Sequence, residues 1–251
     1  MNPTEPAPYT PTADAVHVVR TLFVQGLGLP VELADLIIEA AGYYPTVFNA
    51  RSESATDGMD VSTRWSRRST VAFLYLISDP IPRAREGELV KIKSVKFHTT
   101  SRDQGWASQG SYGTYNGSSS WFETSIFRPV PGAPDELDLD QNRHRCMQSF
   151  FHEPEDAAPH LQTAGWNFVE HDGKHLWKVQ YNIVAGQYFV EHDVEWRPNE
   201  EPAEEVPGKG DGKGFIGALE PGDRVGLWAR ALYPGWSNRI RDARMEIAYS
   251  V

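Results

Sequence analysis

Hydrophobic and polar positions divide the chain into a short helical part and a long part with the period of β-strands. Asp14 is predicted to cap a helix that runs to about residue 25, and Pro30 to begin a second helix that ends before Gly42. The predicted apolar stripes are Val18, Val19, Leu22 and Phe23 on the first helix and Leu33, Leu36, Ile37, Ala40 and Ala41 on the second. Helices are expected only in this N-terminal part.

From about residue 70 onward, apolar and polar residues alternate with period two. The clearest alternation covers residues 177–183, 188–196, 225–233 and 245–251, and further strands are predicted at 71–77, 90–99, 120–128 and 165–171. Seven or eight strands without helices between them are typical of antiparallel packing. The sequence therefore predicts a mainly β protein, an antiparallel β-sandwich or jelly-roll with one or two N-terminal α-helices.

This pattern divides the chain into four parts. We predict a disordered N-terminus at 1–13, helices packed on the sandwich at 14–45, an irregular loop at 46–69 and a β-sandwich domain at 70–251. Within the last part, residues 129–142, 153–160 and 197–213 are rich in Pro, Asp and Glu, so we expect them to form long surface loops.

Charge and hydropathy narrow the choice of partners. The 251 residues include 34 acidic and 24 basic side chains, which gives a net charge of -10. This excess argues against nucleic acid and anionic membranes as partners, since both bind basic surfaces. The N-terminus lacks the basic start and apolar core of a signal peptide, and the mean hydropathy is -0.49. We therefore expect a cytoplasmic protein without a transmembrane segment.

The sequence contains no complete Cys-rich zinc site or calcium loop. The single Cys146 excludes an internal disulfide and a Cys-rich zinc site. Asp138, Asp140 and Asn142 have the spacing that opens a calcium loop, but the turn glycine and the bidentate glutamate of such a loop are missing. An acidic surface loop is the better interpretation.

Two further motifs favour turns and loops over ligand sites. His171 and His175 are four residues apart, but Asp172-Gly173 between them predicts a hairpin turn rather than a zinc-binding helix. The glycine-rich run at 208–214 is similar to a phosphate loop, but a strand pattern follows it where a phosphate loop requires a helix. We interpret it as a flexible loop and expect no metal and no cofactor.

Aromatic residues next to polar side chains mark the candidate site. Eight residues are candidates for ligand binding: Trp106, Tyr115, Trp121, Asn182, Trp196, Arg230, Trp236 and Asn238. These residue types suit a pocket that stacks a ring and hydrogen-bonds to its polar edge. His98, Asp103 and His192 are the candidate catalytic groups, because each can move a proton.

Core packing is an alternative role for several of these residues. It applies to Trp121, Trp177 and Trp196 on strands, to His192 among apolar strand residues, and to Asp103 and Asn238 in turns. Trp106 and Trp236 lie in loops that contain glycine, so packing explains them least well. They are the strongest candidates for ligand contacts.

Six segments carry a family resemblance. They are Leu-Pro-Val-Glu-Leu at 29–33 with Tyr-Tyr-Pro at 43–45, Thr-Ser-Arg-Asp-Gln-Gly-Trp at 100–106, Gly-Thr-Tyr at 113–115 with Ser-Trp-Phe-Glu at 120–123, Gln-Tyr-Asn at 180–182, residues 192–196, and residues 219–238. This ordered set resembles a large family of uncharacterised fungal proteins. The resemblance implies a jelly-roll similar to galactose-binding-like domains, and an N-terminal helix similar to the opening of an F-box. It implies no activity.

Two classes of function remain open at the level of sequence. One is a cofactor-independent enzyme that acts on a small organic molecule in fungal specialised metabolism, by dehydration, isomerisation or a pericyclic cyclisation. The alternative is a non-catalytic module that binds carbohydrate or another small ligand, or an F-box-like adaptor. In either class the expected partner is a small-molecule ligand or substrate, and the oligomeric state is not determined.

Overall fold

Eleven strands in two antiparallel sheets make up most of the part of the chain that the structure describes. The computed structural model describes residues 10–54, 58–65, 69–84, 89–108, 111–132, 145–199 and 206–251. The strands are β1 (Thr46–Ser52), β2 (Met59–Ser62), β3 (Thr70–Ile77), β4 (Lys91–Arg102), β5 (Ser120–Pro129), β6 (Phe150–Phe151), β7 (Trp166–Phe168), β8 (Trp177–Tyr181), β9 (Val190–Trp196), β10 (Arg224–Leu232) and β11 (Ser237–Ser250). The predicted fold class, a mainly β antiparallel sandwich, is confirmed.

The two sheets pack face to face. Sheet A has the order β1-β11-β4-β9, and β2 pairs with the other end of β11. Sheet B has the order β6-β3-β10-β5-β7, and β8 also pairs with β5. The main core lies between the sheets and contains Phe97 from sheet A and Phe73, Tyr75 and Phe122 from sheet B. Alternate residues of each strand face this core, as the period of two predicts.

Sheet B also has a buried outer face. Leu74, Phe127 and Trp228 point away from the main core and pack with Phe151 and Trp166 in a second apolar cluster. A 3-10 turn (Pro154–Ala157) and the helix that follows it contribute Ala157 and Leu161 to this cluster. Because sheet B is covered on both faces here, its strand β3 is apolar at nearly every position.

The N-terminal helices lie at the end of sheet A where β4 begins. Helix α1 (Ala13–Thr21) continues into a π-helical turn (Leu22–Gly26), and α2 (Val31–Ala40) follows. Thr12 rather than Asp14 caps α1, because its hydroxyl accepts a hydrogen bond from the Ala15 amide at 3.1 Å. Arg20 donates to the carbonyl of Val251, and Glu39 pairs with Lys93 at 2.7 Å.

The helices expose much of the apolar stripes that the sequence predicts as packing faces. Val18 and Leu22 are each 59% exposed, as is Leu36 on α2. The buried positions are Val16, Ala34 and Ile38. The apolar periodicity thus predicts both helices correctly. It does not predict their buried side, which carries Val16 on α1 and Ala34 and Ile38 on α2.

Two expectations about irregular segments are wrong. The predicted irregular loop at 46–69 contains β1 and β2, whose alternation is hard to detect because few of their residues are fully buried. Helices are not confined to the N-terminus, since α3 (Ala158–Thr163) and the short α4 (Phe215–Ala218) lie farther along the chain. The 3-10 turn before α3 carries a capping box in which Glu153 and Asp156 take part, so the acidic residues that suggested a loop begin a helical segment.

Some predictions fall largely outside the described residues. They are the disordered N-terminus and the acidic stretch that contains Asp138, Asp140 and Asn142. Within the described residues, no helix combines the length and apolar character needed to cross a membrane.

Candidate functional site

Three connections between strands meet at one end of the sandwich and expose aromatic rings there. They are residues 103–119 between β4 and β5, 182–189 between β8 and β9, and 233–236 between β10 and β11. We call this the aromatic end and define it by Trp106, Tyr112, Tyr188, Tyr233 and Trp236. The first four are 56%, 63%, 79% and 55% exposed, and Trp236 is half-buried.

Asp103 ties two of these connections together. Its side chain is fully buried, and its carboxylate accepts hydrogen bonds from the amides of Gly105 at 2.7 Å and Ala185 at 2.5 Å. Burial raises the pKa of the Asp103 carboxyl, while the amide hydrogen bonds oppose that rise. Ala185 has a positive φ of 57°, which the carboxylate stabilises by holding its amide. Asp103, a predicted catalytic residue, therefore holds two of the loops together through its carboxylate.

Gln104 joins the first connection to the third. Its side-chain amide donates to the carbonyl of Trp106, and its side-chain oxygen accepts from the amide of Ser237 at 3.2 Å. Gly113 and Thr114 pair through their backbones with Val184, at 2.9 and 2.8 Å. The exposed rings thus stand on loops whose backbones are hydrogen-bonded to one another, which limits the entropy lost when a ligand binds.

A type II turn presents Tyr233 and Trp236. Pro234 and Gly235 occupy its central positions, Gly235 has φ 90°, and the Trp236 amide donates to the Tyr233 carbonyl at 3.2 Å. A Cβ on Gly235 would lie 3.2 Å from the ring of Trp106, so the turn and that ring are in contact. Tyr233 itself has φ 70°, an uncommon conformation for an aromatic residue.

A buried polar network lies beneath the aromatic end, between the two sheets. The Asn182 side chain accepts from the Ser101 hydroxyl at 2.7 Å and donates to Ser120 and Asn238, each at 3.0 Å. Asn238 donates in turn to the carbonyl of Trp121 at 2.9 Å. Asn182 and Asn238, both predicted to bind ligand, are completely buried and use their amides to hold the strands and loops together.

His192 and Tyr115 form a second polar group in the interior. His192 faces the core from β9, is 6% exposed, and contacts the Tyr115 hydroxyl through Nε2 at 3.2 Å. Burial, with a contribution from the charge of Lys209, lowers the pKa of His192 to about 4. The imidazole is therefore neutral at pH 7. Its Nδ1 and the Thr99 hydroxyl on the adjacent strand are buried without a hydrogen-bond partner among the described residues.

The glycine-rich run at 208–214 forms the expected loop, and this loop, which we call the strap, is packed closely against its neighbours. Its backbone pairs with β8 through Tyr181 to Gly208 at 2.8 Å and Gly210 to Val179 at 3.0 Å. A Cβ would lie 2.5 Å from Tyr115 at Gly208, 1.7 Å from the Lys178 carbonyl at Gly210, and 2.2 Å from Trp196 at Gly212. Glycine is required because the strap lies directly against its neighbours, a contact that the sequence does not reveal.

Two predicted core tryptophans hold this strap. The indole NH of Trp196 donates to the carbonyl of Gly210 at 3.0 Å, and that of Trp177 donates to the carbonyl of Lys213 at 2.9 Å. Phe215 follows the strap and packs its ring against both, at 5.0 and 5.1 Å between centroids. Trp196, a candidate for ligand binding, lies in the core.

Trp121 and Arg230 belong to a charged cluster on the outer face of sheet B. Glu123 pairs with Lys178 at 2.9 Å and with Arg230 at 2.8 Å, and Arg230 also pairs with Glu153. Lys178 lies 4.1 Å from the centre of the Trp121 ring. Burial alone would raise the pKa of Glu123, but the two neighbouring cations outweigh it and lower the pKa. Because each charge faces an opposite charge, the cluster fixes β5, β8 and β10 to one another.

The three predicted catalytic residues do not share one site. His98 lies on the outer face of sheet A, where Nδ1 contacts Asp193 at 2.9 Å. His192 is on the adjacent strand but faces the interior, and Asp103 is enclosed by loop amides. Neighbouring residues of a strand point to opposite faces, so the pairing of His98 with Asp193 and of Thr99 with His192 separates the two imidazoles.

Cys146 lines a narrow cleft on the outer side of sheet B. Ile77, Phe127 and Trp166 form its apolar walls, and Arg224 lies at its edge. Burial raises the pKa of the Cys146 thiol to about 11, which disfavours the nucleophilic thiolate. The cleft is apolar and is separate from the aromatic end.

The segment between His171 and His175 contains a hairpin turn. Asp172 and Gly173 have φ values of 52° and 73° and close a two-residue hairpin in which His171 and Lys174 exchange backbone hydrogen bonds. The predicted hairpin is confirmed. Across the described ranges, His, Cys, Asp and Glu side chains form no group of three that could hold a metal ion.

Of the rings at the aromatic end, the sequence analysis selected Trp106 and Trp236 as candidates and missed Tyr112, Tyr188 and Tyr233. Period-two alternation placed Tyr188 in a strand, whereas β9 begins at Val190. The Gly186-Gln187 pair just before Tyr188 is a signal that would have favoured a loop.

Neither a model of any known protein family nor any curated protein sequence matches the chain.

Proposed function

We propose that this protein binds carbohydrate at its aromatic end and does not alter it chemically. The observation that supports this is the exposure of Trp106, Tyr112, Tyr188 and Tyr233 on three connections at one end of a rigid sandwich. Exposed aromatic rings cost free energy in water, and loops that are hydrogen-bonded together retain them in place. A flat ring stacks on the apolar face of a pyranose, while neighbouring polar groups bind its hydroxyls.

The surroundings of the rings supply those polar groups. The hydroxyls of Tyr188 and Tyr233 stand on exposed rings of two of the connections. The rings lie on separate loops, so successive sugars of an oligosaccharide suit them better than a single compact molecule. We therefore expect oligosaccharides to bind more tightly than monosaccharides.

A glycan array with the whole protein, followed by isothermal titration calorimetry on the glycans that bind, tests this function. Trp106→Ala should weaken binding by at least about tenfold, since a central exposed tryptophan is the type of residue that dominates interfaces. Phe48→Ala is the matched control, because Phe48 is 53% exposed on β1, away from the aromatic end. Equal affinity in wild type and Trp106→Ala, or no binding to any glycan, would contradict the proposal.

A cofactor-independent enzyme is the second candidate, and His192 is the observation that favours it. Nε2 of the neutral His192 imidazole contacts the Tyr115 hydroxyl, and Nδ1 has no hydrogen-bond partner among the described residues. These are groups that an acid–base step needs. Mass spectrometry after incubation with a panel of small carbonyl and polyhydroxy compounds would detect dehydration or isomerisation. Turnover that His192→Gln abolishes would support this candidate. Absence of turnover by the wild type would eliminate it for that panel.

A further inference from the structure

Helix α2 exposes a stripe of apolar side chains. Leu33, Leu36 and Ile37 are 47%, 59% and 42% exposed, and Ala40, the last residue of the helix, is exposed as well. These four residues are three or four positions apart, so they lie along one side of α2. We call them the α2 stripe. Contiguous exposed apolar surface of this kind is typical of an interaction site.

The other contacts of α2 leave the stripe open. Ala34 and Ile38 are buried and mark the side of the helix that packs against the protein. Asp35 pairs with Arg20 of α1 at 2.6 Å. Successive residues of a helix are about 100° apart, which puts Asp35 nearly opposite the middle of the stripe. Helix α1 therefore lies on the far side of α2 and does not cover the stripe.

The stripe is complementary to itself when a second copy runs antiparallel to it. In a twofold arrangement centred between Leu36 and Ile37, Leu36 lies beside the second copy's Ile37. Leu33 then lies beside the second copy's Ala40, and by symmetry the reverse contact also forms. The branched side chains meet at the axis, and at each end a large side chain meets a small one. This alternation of large and small side chains allows two helices to pack closely.

Charges on α2 do not oppose this contact. Glu39 pairs with Lys93 at 2.7 Å, and Asp35 is held by α1. In the antiparallel arrangement Glu32 lies beside the second copy's Ala41. The two copies of Glu32 are then about 13 Å apart along the helices, which exceeds the Debye length of about 8 Å in physiological salt.

We propose that the α2 stripe pairs with the same stripe of a second copy of this chain in a reversible twofold dimer. The stripe exposes roughly 300 Å² of apolar surface per copy, and an interface of ordinary composition around it buries roughly 1,000 Å² in total. This area is at the lower limit for a specific interface, so we expect a dimer that dissociates on dilution.

This proposal does not rest on carbohydrate binding. Helix α2 contacts the end of sheet A where β4 begins, and the aromatic end lies where β4 ends. Pairing of the helices therefore leaves both aromatic ends free. A dimer presents two such ends, so it would bind a ligand with repeated units more tightly than one chain does.

Disulfide cross-linking tests the antiparallel register. Leu33→Cys and Ala40→Cys, mixed under mild oxidation, should give a disulfide-linked dimer, because the two positions face each other. Each variant alone should stay unlinked, since the two copies of either position are about 10 Å apart along the helices, beyond the reach of a disulfide. The native Cys146 is buried, and burial raises the pKa of its thiol to about 11, so it does not compete.

Sedimentation equilibrium of the whole protein measures the association itself. The wild-type mass should rise with concentration from 28.2 kDa toward twice that value. Leu36→Glu should remain at the mass of one chain, because it places a charge at the centre of the contact. Leu22→Glu is the matched control, since Leu22 is also 59% exposed but lies outside the stripe, and it should associate like the wild type.

Three outcomes would overturn the proposal. One is a wild-type mass that stays at one chain at every concentration together with no cross-link in the mixture, which would assign the stripe to a different partner. Another is cross-linking of Leu33→Cys or Ala40→Cys alone to the same extent as in the mixture, because the register would then be wrong. The third is a dimer that Leu36→Glu leaves intact, which would place the interface elsewhere. The cross-linking result stands whether or not Leu36→Glu folds.

Discussion

At the scale of single residues, most polar side chains that the sequence marks for chemistry serve to hold the backbone. Asn182 and Asn238 each satisfy buried groups on other strands, and Asp103 binds loop amides. Residue type and spacing give no information about which distant strand lies opposite, so these partners are not predictable from the sequence. Trp106 and Trp236 were predictable, because glycine and polar neighbours indicate a loop where a tryptophan has little to pack against.

His192 makes the stability of the protein depend on pH. Its pKa is about 4 in the folded protein and about 6.5 for an unperturbed histidine. As the pH falls from about 6.5 to 4, the unfolded state takes up a proton that the folded state does not, so the free energy of unfolding falls. The full effect is up to about 3 kcal/mol, present above pH 6.5 and lost toward pH 4.

Urea unfolding at a series of pH values measures this effect. His192→Gln should flatten the dependence between pH 4 and 6.5, because glutamine does not titrate. His160→Gln is the control, since His160 is exposed on α3 and its replacement should leave the dependence unchanged. A pH profile of His192→Gln that overlays the wild type would show that His192 is not buried in its neutral form.

At the scale of elements, the sequence predicts the strands that bury at least one face. These strands are either apolar on one face and polar on the other, or buried on both faces. β3, β5 and β10 agree with the predicted strands to within a residue or two. In β3 and β10 the reason is a long stretch of mostly apolar residues. The sequence does not predict the edge strands β1 and β2 or the strap. Their sequences are polar, and their conformation depends on pairing with β11 and β8, which are distant in the chain. The pattern of apolar residues along the chain reflects how many side chains are buried, and an element at the edge of a sheet buries few.

The strap provides a sharp test at this scale. Gly210→Ala should destabilise the protein by about 3 kcal/mol, because the new Cβ would overlap the Lys178 carbonyl and force the strap away from β8. Gly217→Ala in α4 is the matched control, since a Cβ there meets no atom within 4 Å. Helix propensity predicts a small gain for the control, about 0.5 kcal/mol. Urea denaturation measures both, and equal midpoints for the two variants would mean that the strap is not closely packed.

At the scale of the whole molecule, the sandwich separates two surfaces. The helices contact the end of sheet A where β4 begins and β11 ends, through Arg20 and Glu39. The aromatic end lies where β4 ends and β11 begins. This arrangement leaves the aromatic end clear of the helices, so ligand binding there should be independent of the N-terminal part.

Nuclear magnetic resonance of the indole NH groups tests the central claim most directly. The chain has eight tryptophans, and single substitutions assign the signals of Trp106, Trp236, Trp177 and Trp196. On titration with the oligosaccharide selected by the array, the signals of Trp106 and Trp236 should shift. Those of Trp177 and Trp196, whose NH groups are hydrogen-bonded to the strap, should not. Binding that leaves the Trp106 and Trp236 signals in place would contradict a carbohydrate site at the aromatic end.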